Sequence, residues 1–148
     1  MNCLNENPLP VYGKGENIRD WLYVDDHCDA IKTILKEGIV GETYNIGGNN
    51  EITNLDIVKT ICNILDKIRP RQNSKSYLEL ISFVPDRPGH DFRYAIDPSK
   101  IQKKLNWAPK ETFESGISKT ISWYLNNQDW CLNIQNTKYS QERLGLNE

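Results

Sequence analysis

The chain has 148 residues, enough for one domain, and 18 Lys and Arg against 20 Asp and Glu leave a formal charge of −2. So small a net charge excludes a global basic field for nucleic acid or an anionic membrane, and any anion recognised here must be recognised locally. No apolar run approaches the roughly 20 residues that span a bilayer.

The N-terminal residues carry no secretory pattern, so a reducing cytoplasm is the expected location. Cys3, Cys28, Cys62 and Cys131 form no C-x-x-C pair. Their spacing suggests neither a zinc site nor a redox dithiol, and the four thiols read as small hydrophobes. No metal site is expected.

Met1 to Asn7 reads as the last turn of a helix. Pro8 and Pro10 lead an extended entry into Val11-Tyr12, and Gly13-Lys14-Gly15 is a turn. Residues 17–24 alternate, with Ile18, Asp20, Leu22 and Val24 on one side and Arg19, Trp21 and Tyr23 on the other, which predicts a strand. Asp25 and Asp26 then offer an N-cap to a helix whose apolar residues are Ala30, Ile31, Ile34 and Leu35, ended by Gly38. Thr43 to Gly48 reads as a short buried strand.

Thr53 or Asn54 caps the next helix, in which Ile57, Val58, Ile61, Ile64, Leu65 and Ile68 form the clearest helical stripe of the chain. Arg71 to Ser76 reads as a polar, mobile connection, and Leu78 to Val84 as a buried strand. Phe92 to Ile96 is another extended piece. Asp97-Pro98 opens a short helix containing Ile101 and Leu105. Thr112 caps a last long helix to about Asn126, where interior Gly116 predicts close packing. From Trp130 to Glu148 periodicity is weak. The order of elements is α/β, with too few strands for a self-sufficient doubly wound sheet.

The chemistry concentrates in Pro85-Asp86-Arg87-Pro88-Gly89-His90-Asp91, followed by Phe92-Arg93-Tyr94. Two prolines and a glycine shape this loop. Its guanidiniums match phosphate or carboxylate bidentately, and its imidazole adds a further donor. The loop therefore reads either as a cationic clamp at the end of a strand or as a solvated turn in which Arg87 and Arg93 pair with Asp86, Asp91 and Asp97. Arg19 has the same two readings, as an anion contact or as a partner of Asp20, Asp25 or Asp26. Asn54 stands at a helix N-terminus, where free N–H groups attract anions or the side chain simply caps. Tyr12 can stack on a planar base or fill a core. His27 can shuttle protons or bond structurally.

Read together, P-L-P-V-Y-G at 8–13, I-R-D-W-L-Y-V-x-D-H at 18–27, G-E-T-Y-N-I-G-G at 41–48, D-R-P-G-H-D-x-R-Y-A-I-D at 86–97 and T-F-E-x-G-I at 112–117 resemble the C-terminal part of the dTDP-glucose 4,6-dehydratases, within the extended short-chain dehydrogenase/reductase family. The resemblance implies the C-terminal substrate-binding lobe of a two-lobed α/β enzyme, spanning residues 1–148 and lacking most of the NAD-binding Rossmann lobe. It implies substrate contacts at Tyr12, Arg19, Asn54, Arg87 and His90, with Tyr12 beside the base and the other four at the diphosphate or ribose. It also implies dTDP-glucose or a related nucleotide sugar as ligand, with the missing Rossmann half as a possible partner.

The family's NAD is not expected to be held by this chain. Its glycine-rich loop, Asp-Glu acid/base pair and Y-x-x-x-K motif do not occur in the 148 residues, so no catalytic residue is assigned and no turnover is expected from the chain alone. The alternatives are a non-catalytic nucleotide-sugar-binding or structural module, and a piece of a related epimerase or dehydratase. Apolar surface on the helix that follows Asp26 would pack on the other lobe, so association into homo-oligomers or aggregates is expected.

Overall fold

A computed structural model describes residues 1–137. Strand β1 (Leu9–Tyr12) lies parallel to β4 (Ile81–Val84), with Leu9 opposite Ile81 and Tyr12 opposite Val84. Strand β2 (Ile18–Asp20) runs antiparallel to β3 (Glu51–Thr53). Phe92 to Tyr94 extends the second sheet: the Ile18 N–H donates to the Phe92 carbonyl, and the Tyr94 N–H donates to that of Ile18. Helices α1 (Val24–Glu37), α2 (Asn54–Ile68), α3 (Ser99–Leu105), α4 (Phe113–Asn126) and α5 (Gln128–Thr137) complete the described architecture.

Two cores result. Cys3, Leu9, Cys62, Leu65, Tyr77 and Ile121 form one, between the N-terminal turn, β1, α2 and α4. Ala30, Ile101, Leu105 and Trp107 form the other, between α1 and α3. Burying an Ile or Leu completely stabilises by about 1.5–3 kcal/mol, so the periodic stripe of α2 is enough to seat that helix. Thr53 is its N-cap, accepting the Asp56 N–H, and Asn54 is its first residue. Thr112 and Ser115 form a capping box at the start of α4.

Several elements depart from the sequence reading. The strand expected over residues 17–24 stops at Asp20, because the Asp20 carboxylate turns to accept the Gly48 and Asn50 N–H groups, both at 2.8 Å. Thr43 to Gly48, whose last residue donates to that clamp, forms no strand. Asp25 and Asp26 lie in the first turn of α1 and do not cap it; Tyr23 occupies the cap, and buried Asp26 accepts the Lys110 and Glu111 N–H groups.

Residues 77–80 form a 3-10 turn before β4 begins at Ile81. The connection over residues 71–76 is tied down: Arg71 bonds the Ser76 carbonyl and the Glu6 carboxylate, and Asp66 accepts from the Ser76 hydroxyl and the Tyr77 N–H. Asp97 accepts the Ser99 N–H, although Pro98 occupies the cap of α3. Trp130 to Thr137 belongs to α5, and the rest of the tail lies outside the described residues. On α1, Ala30 and Ile34 are consumed by the core with α3, which leaves Ile31 and Leu35 exposed.

At Gly116 the sequence expectation and the packing agree. A Cβ there would lie 3.1 Å from that of Tyr23, so α4 and the residues preceding α1 touch through the missing side chain.

Candidate functional site

The two sheets bring the loop after β4 against β2. Arg19, Arg87, Pro88, Gly89, His90, Asp91 and Tyr94 line a pocket of about 450 Å³. Three of the five residues singled out in the sequence therefore surround one cavity, although Arg19 lies some seventy positions from the other two.

Each is held differently. The Arg19 guanidinium donates to the carbonyls of Ile18 at 2.6 Å, Asp91 at 2.8 Å and Phe92 at 3.4 Å, and sits 4.6 Å above the centre of the Tyr94 ring. Among the described residues it forms no ion pair with Asp20, Asp25 or Asp26, so its charge is not neutralised by a carboxylate. Backbone oxygens fix its plane and leave its net charge facing the cavity.

Arg87 lies over the Tyr12 ring at 5.7 Å, and its Nε is buried without a hydrogen-bond partner among the described residues. A buried donor without an acceptor costs about 1–3 kcal/mol, and a ligand oxygen would recover part of it. His90 Nδ1 lies 2.6 Å from Asp86 Oδ1, and the His90 side chain is only 6% exposed. His90 holds the Asp86 carboxyl below its ordinary value, helped by the Arg87 N–H that Asp86 also accepts.

The remaining charges are spoken for. Arg93 pairs with Glu51 through Nε at 2.6 Å and Nη2 at 2.9 Å, so the sequence alternative that paired it with Asp86, Asp91 or Asp97 does not hold. Asp91, the one carboxylate lining the pocket, accepts the Tyr94 hydroxyl and thereby pushes the Tyr94 phenol up. The cavity is left with two guanidiniums and an imidazole against one engaged carboxylate.

Tyr12 does not line the pocket but backs it: its ring meets that of His90 edge-on at 6.1 Å and lies beneath Arg87. Asn54 stands one layer further away. Its N–H donates to the Asn17 carbonyl, the Leu55 N–H to Gly15 and the Asp56 N–H to Thr53, so the first turn of α2 spends its donors within the chain. The helix terminus is therefore not the open anion site that the sequence allowed. Asn54 connects to the pocket through Asn17, whose side chain donates to the Asp91 carbonyl. His27 is exposed on α1 and takes no part in this cluster.

The sequence gives no sign of Asn17, buried at the junction of β2, α2 and the loop, and assigns no role to Tyr94, which supports Arg19 and occupies Asp91. Tyr94 follows Phe92 by two in an extended piece, a spacing that puts the two on one face. Its place in the D-R-P-G-H-D-x-R-Y stretch and that spacing were its signals.

The glycines of the β1–β2 turn and of residues 47–48 are packed by the chain's own atoms. A Cβ would approach Asp86 Oδ2 at 3.1 Å from Gly13, Val11 Cγ1 at 2.7 Å from Gly15, Asp20 Oδ2 at 2.5 Å from Gly47 and the Trp21 carbonyl at 2.5 Å from Gly48. Among the described residues no group of His, Cys, Asp and Glu is disposed to hold a metal ion, and no helix is long and apolar enough to cross a membrane.

A second concavity, of about 660 Å³, lies between Trp21–Asp25 and α4, with Phe113, Trp123 and Tyr124 among its walls. Tyr23 at its edge is raised by burial and by its bond to Asp25.

Comparison with known proteins gives this geometry its context. A dTDP-glucose 4,6-dehydratase of Neisseria meningitidis serogroup B is 54% identical over 147 residues, covering 98% of this chain and 41% of its own length. The crystal structure of a Bacillus anthracis dTDP-glucose 4,6-dehydratase in complex with NAD superposes with a TM-score of 0.75 at 46% identity, covering 87% of this chain and 38% of that one. The Streptomyces venezuelae dTDP-glucose 4,6-dehydratase DesIV, with NAD and TYD bound, gives 0.73 at 38% identity, covering 87% and 37%. The chain thus spans about two fifths of the relatives it matches. The family described as GDP-mannose 4,6 dehydratase matches residues 1–120. With this match over most of its length and an α/β fold shared with part of the extended short-chain dehydrogenase/reductases, the chain belongs to the GDP-mannose 4,6 dehydratase family, among relatives that are dTDP-glucose 4,6-dehydratases.

Proposed function

We propose that residues 1–148 form the nucleotide-sugar-binding portion of a dTDP-glucose 4,6-dehydratase, with the diphosphate taken by Arg19, Arg87 and His90. The observation that carries this reading is the pocket itself, in which, among the described residues, two guanidiniums not paired to carboxylates and an anchored imidazole converge and one buried guanidinium nitrogen lacks an acceptor. Two arginine forks and a histidine suit the several oxygens of a diphosphate. Arg19 is pre-oriented by carbonyls and so loses little rotamer freedom on binding. We assign the base to Tyr12, which backs Arg87 and His90, and Asn54 acts through Asn17 on the loop carrying Asp91.

The whole enzyme's reaction would convert dTDP-glucose to dTDP-4-keto-6-deoxyglucose and water. The residues of this chain supply binding and orientation for it. At the two glycine turns, Gly13, Gly15, Gly47 and Gly48 face their own chain at distances that leave no room there for the NAD pyrophosphate. The exposed Val24, Ile31, Leu35, Ile39 and Val40 are apolar surface fit for a Rossmann lobe or a second protomer.

Calorimetric titration of the purified chain with dTDP, UDP and inorganic pyrophosphate tests the reading. Saturable binding of dTDP is expected, and heat indistinguishable from dilution with all three overturns the pocket assignment. Incubation with dTDP-glucose and NAD is expected to yield no keto-sugar; a keto-sugar product refutes the division of labour.

A further inference from the structure

The cysteines that show no motif in the sequence are brought together by the fold. Cys3 in the N-terminal turn and Cys62 in the middle of α2 are buried in the same core cluster, flanked by Leu9, Leu65, Tyr77 and Ile121. Cys62 has no accessible surface. Each thiol's strongest influence is the other: the Cys62 S–H stabilises the Cys3 thiolate and draws that thiol down to about 7, while Cys62 is raised and keeps its proton. A lowered thiol that lines a cavity, beside a neighbour with no accessible surface, is the asymmetry of an attacking and a resolving cysteine.

Access exists from one side. Cys3 lines a cavity of about 670 Å³ bounded by Leu9, Val58, Ile61, Trp130 and Ile134, ample for a small uncharged oxidant. Cys131 shares that cavity but lies outside the Cys3–Cys62 cluster, and Cys28 is exposed on α1.

We propose that Cys3 and Cys62 are an oxidisable pair, in which hydrogen peroxide reaching Cys3 through this cavity is resolved by Cys62 to an intramolecular disulfide. The Cys3 thiolate attacks one peroxide oxygen; the O–O bond breaks, hydroxide departs and a sulfenic acid forms, the sulfur losing two electrons. The Cys62 sulfur then attacks the Cys3 sulfur, the S–O bond breaks, and the Cys62 proton leaves with the oxygen as water. Counted from two thiols, one peroxide is consumed and two waters are formed. The bridge closes the chain from position 3 to position 62, a loop that contains β1, β2, α1 and β3 and hence both Tyr12 and Arg19.

The test is oxidation of the purified native chain with hydrogen peroxide, followed by alkylation, digestion without reduction and mass spectrometry. The expected result is a linked peptide pair containing Cys3 and Cys62 in a monomeric species, with Cys28 and Cys131 still alkylated. Its melting temperature should rise by about 5–10 °C and fall back with dithiothreitol. Cys3→Ser should abolish the link. Replacement of fully buried Cys62 risks the fold, so Cys62→Ala is judged on preparations that still melt cooperatively, where dimedone should trap the Cys3 sulfenic acid. A Cys3–Cys131 bridge, disulfides only between chains through Cys28, or Cys3 and Cys62 both unmodified when Cys28 is fully oxidised would each overturn the proposal.

Discussion

Replacing Arg87 by alanine separates binding from stability, and the structure sets the sign of each effect. The Arg87 Nε is buried without an acceptor among the described residues, a defect of about 1–3 kcal/mol, while the contact of its guanidinium with Tyr12 returns only about 0.5–1 kcal/mol. Truncation should therefore leave stability within about 1 kcal/mol of the parent or raise it. A charge-assisted hydrogen bond to a phosphate oxygen contributes about 1.5–3 kcal/mol, so loss of one such contact weakens dTDP binding by about 10- to 150-fold. Arg87→Lys, which keeps the charge without the planar fork, should fall between. Calorimetric titration gives the affinities, and urea unfolding gives the stabilities. Unchanged affinity in Arg87→Ala would remove this residue from the site. A loss of several kcal/mol in stability would show that the guanidinium is a structural strut and that its unpartnered nitrogen carries no penalty for a ligand to relieve.

Ile101, fully buried between α1 and α3, should lose about 2–5 kcal/mol on replacement by alanine, and urea titration showing less than about 1 kcal/mol would contradict the description of that core. Gly47→Ala places a methyl 2.5 Å from Asp20 Oδ2 and 2.9 Å from Ile96 Cγ2; a destabilisation of about 1–3 kcal/mol is expected, and unchanged thermal unfolding would refute the crowding. Acid should weaken the fold in a defined window. Glu6, Glu42, Asp86, Asp97 and Glu111 are all held below their ordinary values of 4.5 for Glu and 3.8 for Asp by bonded partners, led by Arg71, Lys100, His90, Ser99 and Lys119 respectively. Because the folded values are the lower ones, this stabilisation is complete above about pH 4.5 and drains away as pH falls through them. Melting temperatures that stay flat from pH 6 to pH 3 would contradict those pairings.

The amino-acid sequence alone determined the elements whose information is local. Helix α2 follows from an apolar stripe and a threonine cap, α4 from the Thr112 cap, and the close approach at Gly116 from a glycine inside a helical pattern. Each depends on residues within a few positions of one another, which is the range over which helical period and capping act. The cationic loop after β4 was legible for the same reason, since Arg87 and His90 lie three residues apart.

Tertiary structure decided everything that turns on which distant partner wins a competition. Alternation continued the β2 pattern to Val24, but the Asp20 carboxylate found two N–H groups near position 50 and ended the strand. Arg93 had three aspartates nearby in sequence, yet paired with Glu51 across the sheet. Arg19, for which the sequence left open an anion or a neighbouring aspartate, is held by three carbonyls, because the extended segment at 92–94 lies beside β2. Cys3 and Cys62 met only because β1 and α2 share a core. A side chain's partner is set by non-local backbone geometry, to which composition and spacing are blind, and the pocket shared by Arg19, Arg87 and His90 is a product of that geometry.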